Sequence, residues 1–409
     1  METGFTLIQN CVCCSSRNLV EVLDLGLQPL ANSYLKFPSS QEEFPLGVNV
    51  CLECWHLQLF CAVNPDILFR DYVYISGTTK TLRKYFQDFV SGVENNYLSV
   101  GKKFKVLEIA SNDGSLLEIF KDNGHNVLGI DPALNLIQYS IAKGVVTLPS
   151  YFDGAISSLL NKFDIIIGMN VLAHVLNPKQ FLINCQEIMG EDSTLIIQTS
   201  QGEMVELNQF DTIYHEHISF FNLNSFMELI KETNLTLTRV EKVPIHGSSW
   251  VWHLNLKSSN IRQDNSVEYF FEQQKRDLHL YEAKTYSQFK HNSINLVNNV
   301  LQKISHFSEA GYTIVGYGAA AKGNTFLNFA KIQLDYIVED NYLKWGLYSP
   351  GMNIPIKSPE FLMNDSRDIL VLVPAWNFID EITNSITRMN RKNKTTLLCY
   401  FPEIKIIEL

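Results

Sequence analysis

The 409-residue sequence has no long apolar run, and this absence excludes a helix of membrane-spanning length. Its longest apolar runs, residues 165–169 and 369–375, fall far short of the ~20 residues that such a helix needs. The first ten residues also lack the basic stretch and following apolar stretch that mark a secretory signal. We therefore expect a soluble, cytoplasmic protein without a membrane partner.

Positive charge is scarce as well. The 33 lysines and arginines are outnumbered by 43 acidic residues, which leaves a formal net charge of −10. Proteins that bind a nucleic-acid backbone usually carry a basic face. The acidic balance therefore excludes a broad nucleic-acid surface, although it leaves room for a local basic pocket that accepts one nucleotide.

Long linkers and internal repeats are absent, and three sections of the chain differ in character. The first 65 residues are rich in cysteine and turns, whereas the sections from about 80 to 235 and from about 265 to 409 alternate strand and helix patterns. Such alternation predicts parallel sheets. We expect an α/β protein with domains at 1–75, 76–260 and 261–409.

Six of the eight cysteines lie in the first 61 residues, and this clustering indicates a metal site, since a reducing compartment disfavours disulfides. Cys11 and Cys14, and likewise Cys51 and Cys54, have the CxxC spacing at which two thiolates converge on one ion. Four thiolates leave no open coordination position, so the predicted zinc is structural. Cys13 is an alternative ligand, and free buried cysteines are the competing interpretation.

A strand–turn–helix–strand unit opens the central section. Residues 106–109 have the pattern of a buried strand, 110–114 of a small-residue turn, 115–123 of a helix, and 127–130 of a strand that Asp131 ends. Small residues let a ligand approach the backbone, and the helix N-terminus offers unpaired N–H donors. The acid after the second strand can accept hydrogen bonds from both hydroxyls of a ribose.

The turn differs from a dinucleotide-binding loop in composition and charge. It lacks the GxGxxG spacing, and Gly114 is its one glycine. Glu108 before the turn, with Asn112 and Asp113 in it, would repel a pyrophosphate but would stabilise the sulfonium and ammonium groups of S-adenosylmethionine. The charge therefore favours this methyl donor over NAD.

An isoleucine-rich strand pattern at 163–170 should end at the rim of the same site, which places Asn170 and His174 near the ligand. A satisfied buried histidine is the competing interpretation of His174. The residues expected to hold the cofactor are Glu108, Ala110, Asn112, Gly114, Asp131 and Asn170.

A run of four polar side chains, Tyr214 to His217, follows a further strand pattern at 193–200. In an extended segment, Tyr214 and Glu216 would point to one face, and His215 and His217 to the other. A histidine beside a carboxylate that fixes its tautomer can act as a general base. The alternatives are a surface loop or half of a metal site, but the HExxH spacing of a helical zinc site is missing.

Together these motifs resemble the sugar C-methyltransferase family, whose members add a methyl branch to nucleotide-linked deoxyketosugars. The resemblance covers nearly the whole chain. It includes both CxxC pairs, residues 23–31 and 71–77, VLEIASNDGSLL, GIDPA, DTIYHEHISFF, HGSSW, YGAAAKGNTFLN, and residues 339–360 and 374–382.

The resemblance implies a zinc-binding N-terminal domain, a central class I (Rossmann-like) methyltransferase domain, and a C-terminal Rossmann-like domain that helps to bind the sugar nucleotide. It implies C-methylation of a keto-deoxysugar through an enolate, with His217 as the base and Tyr214 and Glu216 in support. His174 matches a residue that faces the sugar. Tyr74 is the expected site tyrosine of the preceding segment, with Tyr72 as the alternative.

Two positions depart from the family pattern: Ala110 and Ser248 each replace a glycine. An O- or N-methyltransferase acting on a sugar nucleotide would share the cofactor site. A nicotinamide-dependent oxidoreductase would use residues 316–323 as its dinucleotide loop, although these glycines are poorly spaced and no P-loop Lys-Ser/Thr pair follows them. A zinc scaffold without activity is a third alternative. The motifs select neither the sugar, the nucleotide, the methylated carbon nor the oligomeric state.

Overall fold

The N-terminal part of the chain folds into small antiparallel sheets. The computed structural model describes residues 4–70, 72, 75–78, 80–97, 102–200 and 202–409. The first elements are β1 (Phe5–Leu7), β2 (Leu19–Gln28), β3 (Phe44–Cys51), β4 (Leu57–Leu59), β5 (Cys61–Val63) and α1 (Pro65–Phe69). β1 pairs with β5, and β2, β3 and β4 form successive antiparallel pairs.

Alternating helices and strands build the central part. Its elements are α2 (Lys80–Tyr97), β6 (Lys105–Ile109), α3 (Ser115–Asp122), β7 (Asn126–Ile130), α4 (Ile137–Ala142), β8 (Thr147–Leu148), α5 (Gly154–Leu159), β9 (Phe163–Met169), α6 (Pro178–Glu187), β10 (Met189–Ser200), β11 (Ser219–Phe220), α7 (Leu223–Ile230), β12 (Leu235–Val243) and β13 (Ser249–Leu256). Seven of the strands form one sheet in the order β12-β13-β10-β9-β6-β7-β8.

The strands from β10 to β8 are parallel, whereas β13 runs antiparallel to both β10 and β12. The middle of the sheet is buried on both faces, which is why β6 and β9 have nearly continuous apolar sequences. Because the next strands in sequence extend the sheet on opposite sides of β6, its carboxyl end lies at a topological switch point. Ligands of open α/β sheets bind in the crevice at this point.

The C-terminal part repeats this architecture after two helices. Its elements are α8 (Asn265–Arg276), α9 (Ala283–Glu309), β14 (Thr313–Tyr317), α10 (Ala321–Ala330), β15 (Ile337–Val338), β16 (Ile356–Lys357), α11 (Pro359–Met363), β17 (Ile369–Leu372), α12 (Ile379–Met389), β18 (Thr395–Cys399) and β19 (Lys405–Glu408). The sheet order is β16-β15-β14-β17-β18-β19, and its strands are parallel except β19. The switch point here is the carboxyl end of β14.

The three parts are joined by strand pairing and by side chains. β11, from the central part, pairs with β4 and completes the N-terminal sheet. Asn324 on α10 donates to the carbonyl of Ala31, and Tyr34 donates from its hydroxyl to the carbonyl of Ala319. These contacts fix the carboxyl ends of β6 and β14 on either side of one space. Within the described ranges, the helices are too short or too polar to cross a membrane.

Candidate active site and zinc centre

Two tight turns bring four cysteines together. Ser15 and Trp55 each follow a CxxC pair with a left-handed backbone, and each donates its N–H to the first cysteine of its pair. The candidate ligand atoms of Cys11, Cys14, Cys51 and Cys54 all lie within 4.8 Å of one another. Cys13 is fully buried and is not part of this group. Four thiols in this arrangement fit a closed, structural zinc ion.

One large cavity opens between the carboxyl ends of β6 and β14. Its volume is about 2180 Å3, and residues of all three parts of the chain line it. Asn32 and Tyr72 line it from the N-terminal side, the cofactor turn and His217 from the central sheet, and Lys322 from α10. The cavity thus connects most of the predicted cofactor and catalytic residues, although Gly114 and Glu216 do not line it.

Left-handed backbone shapes the cofactor turn. Ala110, Asn112 and Gly114 have φ angles of 60°, 51° and 74°. Asp131 holds this turn, because one carboxylate oxygen accepts from the backbone N–H of Asn112 and the other from that of Ala133, both at 2.8 Å. Burial nevertheless raises the pKa of Asp131. The carboxyl group stands at the position from which such folds bind a ribose.

Two further carboxyl groups give the turn its charge. Asp113 forms an ion pair with Lys143 at 2.8 Å. Glu108 is 3% exposed, and its Oε2 meets no hydrogen-bond donor among the described residues. Burial, together with Asp113 and Asp131, raises the pKa of Glu108 well above its ordinary range. An orphaned buried carboxyl group in an acidic pocket fits a cationic ligand such as S-adenosylmethionine.

Asn170 follows β9 directly and also has a left-handed backbone, with φ of 57°. Its side-chain oxygen accepts from Gln198 at 3.4 Å, and Gln198 in turn accepts from the hydroxyl of Tyr85. Asn170 and Gln198 line the cavity, whereas Tyr85 does not. Gln198 and Tyr85 were not predicted from the sequence, because a polar residue near a strand end and a tyrosine on a helix carry no distinctive pattern.

Residues 214–217 form a turn rather than the extended segment considered above, since the His217 N–H donates to the carbonyl of Tyr214. Side chains in this segment therefore do not alternate between two faces as predicted. Tyr214 and His217 face the same side, with ring centroids 4.0 Å apart. His215 points elsewhere, toward the carbonyl of Phe44. His174 joins the cluster, because its ring lies 5.2 Å from that of His217.

The hydrogen bond to His217 defines its tautomer. Its Nδ1 lies 2.8 Å from the carbonyl oxygen of Thr212, which can only accept, so the neutral ring carries its hydrogen on Nδ1. Burial is the main reason why the pKa of His217 lies well below its ordinary range, and His174, Lys322 and His246 lower it further. The hydrogen bond to Thr212 acts in the opposite direction. The ring is therefore neutral near pH 7, with Nε2 as the nitrogen that can accept a proton.

Glu216 belongs to a different network from the one expected. Its carboxylate accepts from Asn32 Nδ2 at 2.6 Å and from the Tyr72 hydroxyl at 2.8 Å. A backbone carbonyl, not this carboxylate, thus fixes the His217 tautomer. Tyr72, the alternative site tyrosine, lines the cavity. Tyr74, the first choice, lies outside the described residues.

Comparisons with known proteins follow this three-part organisation. A zinc binding domain matches residues 11–69, a methyltransferase domain matches residues 76–240, and a C-methyltransferase C-terminal domain matches residues 244–402. C-methyltransferase NovU from Streptomyces niveus is 28% identical over 390 residues, which are 92% of each chain. Together the three domain matches extend from residue 11 to residue 402, and the chain is similar to C-methyltransferases over nearly its whole length. It is a S-adenosylmethionine-dependent methyltransferase with a zinc-binding N-terminal part.

More distant relatives of this C-methyltransferase match in part. A ubiquinone biosynthesis O-methyltransferase from Glaesserella parasuis is 31% identical over 105 residues, 23% of this chain and 44% of that one. Among solved structures, the PH0226 protein of Pyrococcus horikoshii OT3 has 16% identity and a TM-score of 0.36, covering 45% of this chain and 94% of that one. The plantazolicin methyltransferase BpumL with bound SAH has 13% identity and the same TM-score, over 43% and 86% of the two chains.

The C-methyltransferase also has a polar cluster that was not predicted from the sequence. Lys322, Trp376 and the loop 246–248 meet at the cavity wall opposite the cofactor turn. All three loop residues are left-handed, including Ser248 with φ of 103°. Ser248 therefore retains the backbone conformation that glycine adopts readily, at a cost in strain. The GAAAKG segment, which belongs to the family resemblance and to the alternative dinucleotide loop 316–323, supplies the lysine.

Proposed function

We propose that this C-methyltransferase methylates a carbon atom of a nucleotide-linked keto-deoxysugar by way of an enolate, with His217 as the general base. The observation that carries the proposal is the neutral, Nδ1-protonated His217 in the same cavity as the acidic cofactor turn. The name of NovU supports a carbon acceptor rather than an oxygen or nitrogen acceptor.

The acceptor needs a carbonyl group beside the methylated carbon, because an isolated sugar C–H is far too weak an acid for an imidazole base. His217 Nε2 takes the proton of that carbon while the carbonyl oxygen takes the electron pair. S-adenosylmethionine supplies an electrophilic methyl group, so a carbon–carbon bond forms as the sulfur–methyl bond breaks. Glu108 and Asp131 hold the donor's cationic part and its ribose.

Neighbouring rings orient the sugar at this base. His174 stacks between Phe69 and His217, and burial lowers the pKa of His174 to about 4, so it acts as a neutral hydrogen-bonding group. Its buried Nε2 has no partner within the described part of the chain. Tyr214 lies against the His217 ring. Glu216 positions Tyr72 at the wall from the N-terminal side.

The C-terminal sheet offers a second nucleotide-type unit for the acceptor. Glu339 follows β15 and accepts from the backbone N–H of Ala319 at 2.9 Å, as Asp131 accepts from Asn112 in the central sheet. Lys344 lies 3.6 Å from Glu339 and adds a positive charge. This arrangement supports a nucleotide diphosphate at the C-terminal side of the cavity, with its sugar directed to His217.

Methyl transfer can be followed with S-adenosylmethionine carrying a labelled methyl group and a panel of nucleotide-linked 4-keto-deoxysugars. We expect label on a sugar carbon, located by mass spectrometry. His217→Asn should lower turnover by ~10²-fold or more while cofactor affinity stays near that of wild type. His291→Asn, on the exposed face of α9, is the matched control. Label on oxygen or nitrogen, or full activity in His217→Asn, would refute the proposal.

A further inference from the structure

A partly buried lysine faces the catalytic histidine from the C-terminal part. Lys322 lies in the first turn of α10, and its Nζ donates to the carbonyl oxygen of His246 at 3.0 Å. The same atom lies 4.4 Å from the centroid of the Trp376 ring. Burial lowers the pKa of Lys322, and the charge of Asp211 opposes this shift. The carbonyl oxygen and the aromatic face also stabilise the ammonium form.

The Trp376 ring that lies against this lysine is hydrogen-bonded to the same turn that positions His217. Asp211 is fully buried and accepts from the indole N–H of Trp376 at 2.8 Å and from the Tyr400 hydroxyl at 3.4 Å. Its neighbour Thr212 supplies the carbonyl oxygen that fixes the His217 tautomer. One short turn, Phe210–Thr212, therefore positions both the base and the support of the lysine.

The loop 246–248 closes the other side of the lysine. A Cβ atom on Gly247 would lie 2.6 Å from Trp376, so only glycine fits against the indole. The left-handed backbone of His246 directs its carbonyl toward Lys322. The ammonium group is thus held from two sides at the cavity wall. The position of Lys322 is a built feature of this fold, not that of a solvated surface side chain.

We infer that Lys322 is a further catalytic residue, whose ammonium group stabilises the enolate oxygen formed when His217 deprotonates the sugar, and that Asp211 and Trp376 are its positioning residues. This inference rests on the proposed function. In the step, the carbon–hydrogen bond breaks, a nitrogen–hydrogen bond forms at His217 Nε2, and the negative charge appears on the former carbonyl oxygen. Lys322 keeps its protons throughout, so no further reactant is required.

A phosphate group is the other anion that a cavity lysine could bind. Lys344 is better placed for that role, because its Nζ donates to the carbonyl of Ala319 at 2.7 Å and lies near Glu339, at the switch point of the C-terminal sheet. Lys322 instead shares its surroundings with the base: the charge of Lys322 acts on both His217 and His246. Its location favours the reacting end of the substrate.

The partial reaction that tests this role is exchange of the acidic sugar hydrogen with deuterium oxide, with S-adenosylhomocysteine replacing the methyl donor. Lys322→Met removes the charge at similar volume, and we expect exchange and methyl transfer at saturating sugar to fall by roughly 10²-fold. The KM for the sugar should change by less than about threefold, because the oxyanion is absent from the ground state. Lys322→Arg should recover part of the rate, and Trp376→Phe should give an intermediate loss.

Lys303→Met on the exposed face of α9 is the charge-matched control and should behave as wild type. Unchanged melting temperature and S-adenosylmethionine affinity would show that Lys322→Met is folded. A raised KM with normal exchange at saturation would assign Lys322 to phosphate binding and overturn the inference.

A second measurement needs no substrate and separates this inference from the proposed function. The groups that face His217 are His174, His246, Lys322 and Tyr214. Removing the positive neighbour should raise the His217 pKa, measured by NMR of histidine-labelled protein with His217→Asn for assignment. An unshifted His217 in Lys322→Met would overturn the inference even if the enzyme methylates a sugar carbon. Methylation of an oxygen would instead overturn the proposed function.

Discussion

Replacing Glu108 by glutamine should weaken S-adenosylmethionine binding and abolish its dependence on pH. In the free protein, burial and two neighbouring carboxyl groups keep the Glu108 pKa well above its ordinary value of 4.5. A bound sulfonium or ammonium group stabilises the ionised form. Binding therefore releases a proton, and affinity should rise with pH between the pKa of Glu108 in the complex and its raised pKa in the free protein.

The size of the effect follows from two opposing terms. A cation about 4 Å from the carboxylate gains about 4 kcal/mol at an effective dielectric constant of 20. Each unit by which the free-protein pKa exceeds the pH subtracts about 1.4 kcal/mol. A net loss of about 1–3 kcal/mol, or roughly 5- to 150-fold in Kd, is expected for Glu108→Gln at pH 8.

Stability should change in the opposite direction to affinity. A carboxyl group with a raised folded-state pKa binds more protons in the folded than in the unfolded chain between the two pKa values. The free energy of unfolding of wild type thus falls as pH rises above about 4.5, and Glu108→Gln removes this loss.

Calorimetry in buffers of different ionisation enthalpy measures the released proton directly. Glu118→Gln, at a partly exposed site on α3, is the matched control. S-adenosylhomocysteine lacks the sulfonium charge and should lose less affinity in Glu108→Gln than the methyl donor does. Equal losses for both ligands would assign Glu108 to the ammonium group that both carry, whereas a wild type that releases no proton would refute the electrostatic role of Glu108.

Two further changes test the turn and the metal. Ala110→Gly should raise the free energy of unfolding by about 0.5–1 kcal/mol, because relief of ~1–2 kcal/mol of left-handed strain exceeds the entropic cost of an added glycine. Thermal melts measure this change, and a lowered Tm would contradict it. Ala110→Val should destabilise the protein. Elemental analysis should find one zinc ion in wild type and none in Cys51→Ser, and the variant should have a lower Tm. Methyl transfer should fall more than cofactor binding, since Asn32 reaches Glu216 from the zinc-binding part. Cys13→Ala should retain the zinc ion, and a Cys13→Ala protein without zinc would show that Cys13 is a ligand.

Local patterns predicted the cofactor unit closely. The strand predicted at 106–109 is β6, the helix at 115–123 is α3, and the strand at 127–130 is β7. These elements depend on apolar periodicity and on turn residues within a few positions of one another, so neighbouring sequence suffices. The four zinc cysteines were also recognisable, because metal geometry requires their spacing within each pair.

Contacts between distant segments were not predictable in the same way. Tyr214 and His217 face one side because the segment turns, although an extended segment was considered. Glu216 meets Asn32, 184 residues earlier in the chain, so nothing near it in sequence reveals its partner. Lys322 is held at the site by the loop 246–248 and by the indole of Trp376, so three separate segments of the chain meet there. Such positions are set by how the three parts dock.

The order in which the cavity walls occur along the chain has a consequence for synthesis on the ribosome. The zinc cysteines and the cofactor turn are translated before Trp376, which supports Lys322. The residues of the cofactor turn are therefore made before the wall that faces it across the cavity. The base His217 and its cationic partner Lys322 can come together with the supporting indole only after residue 376 has been made.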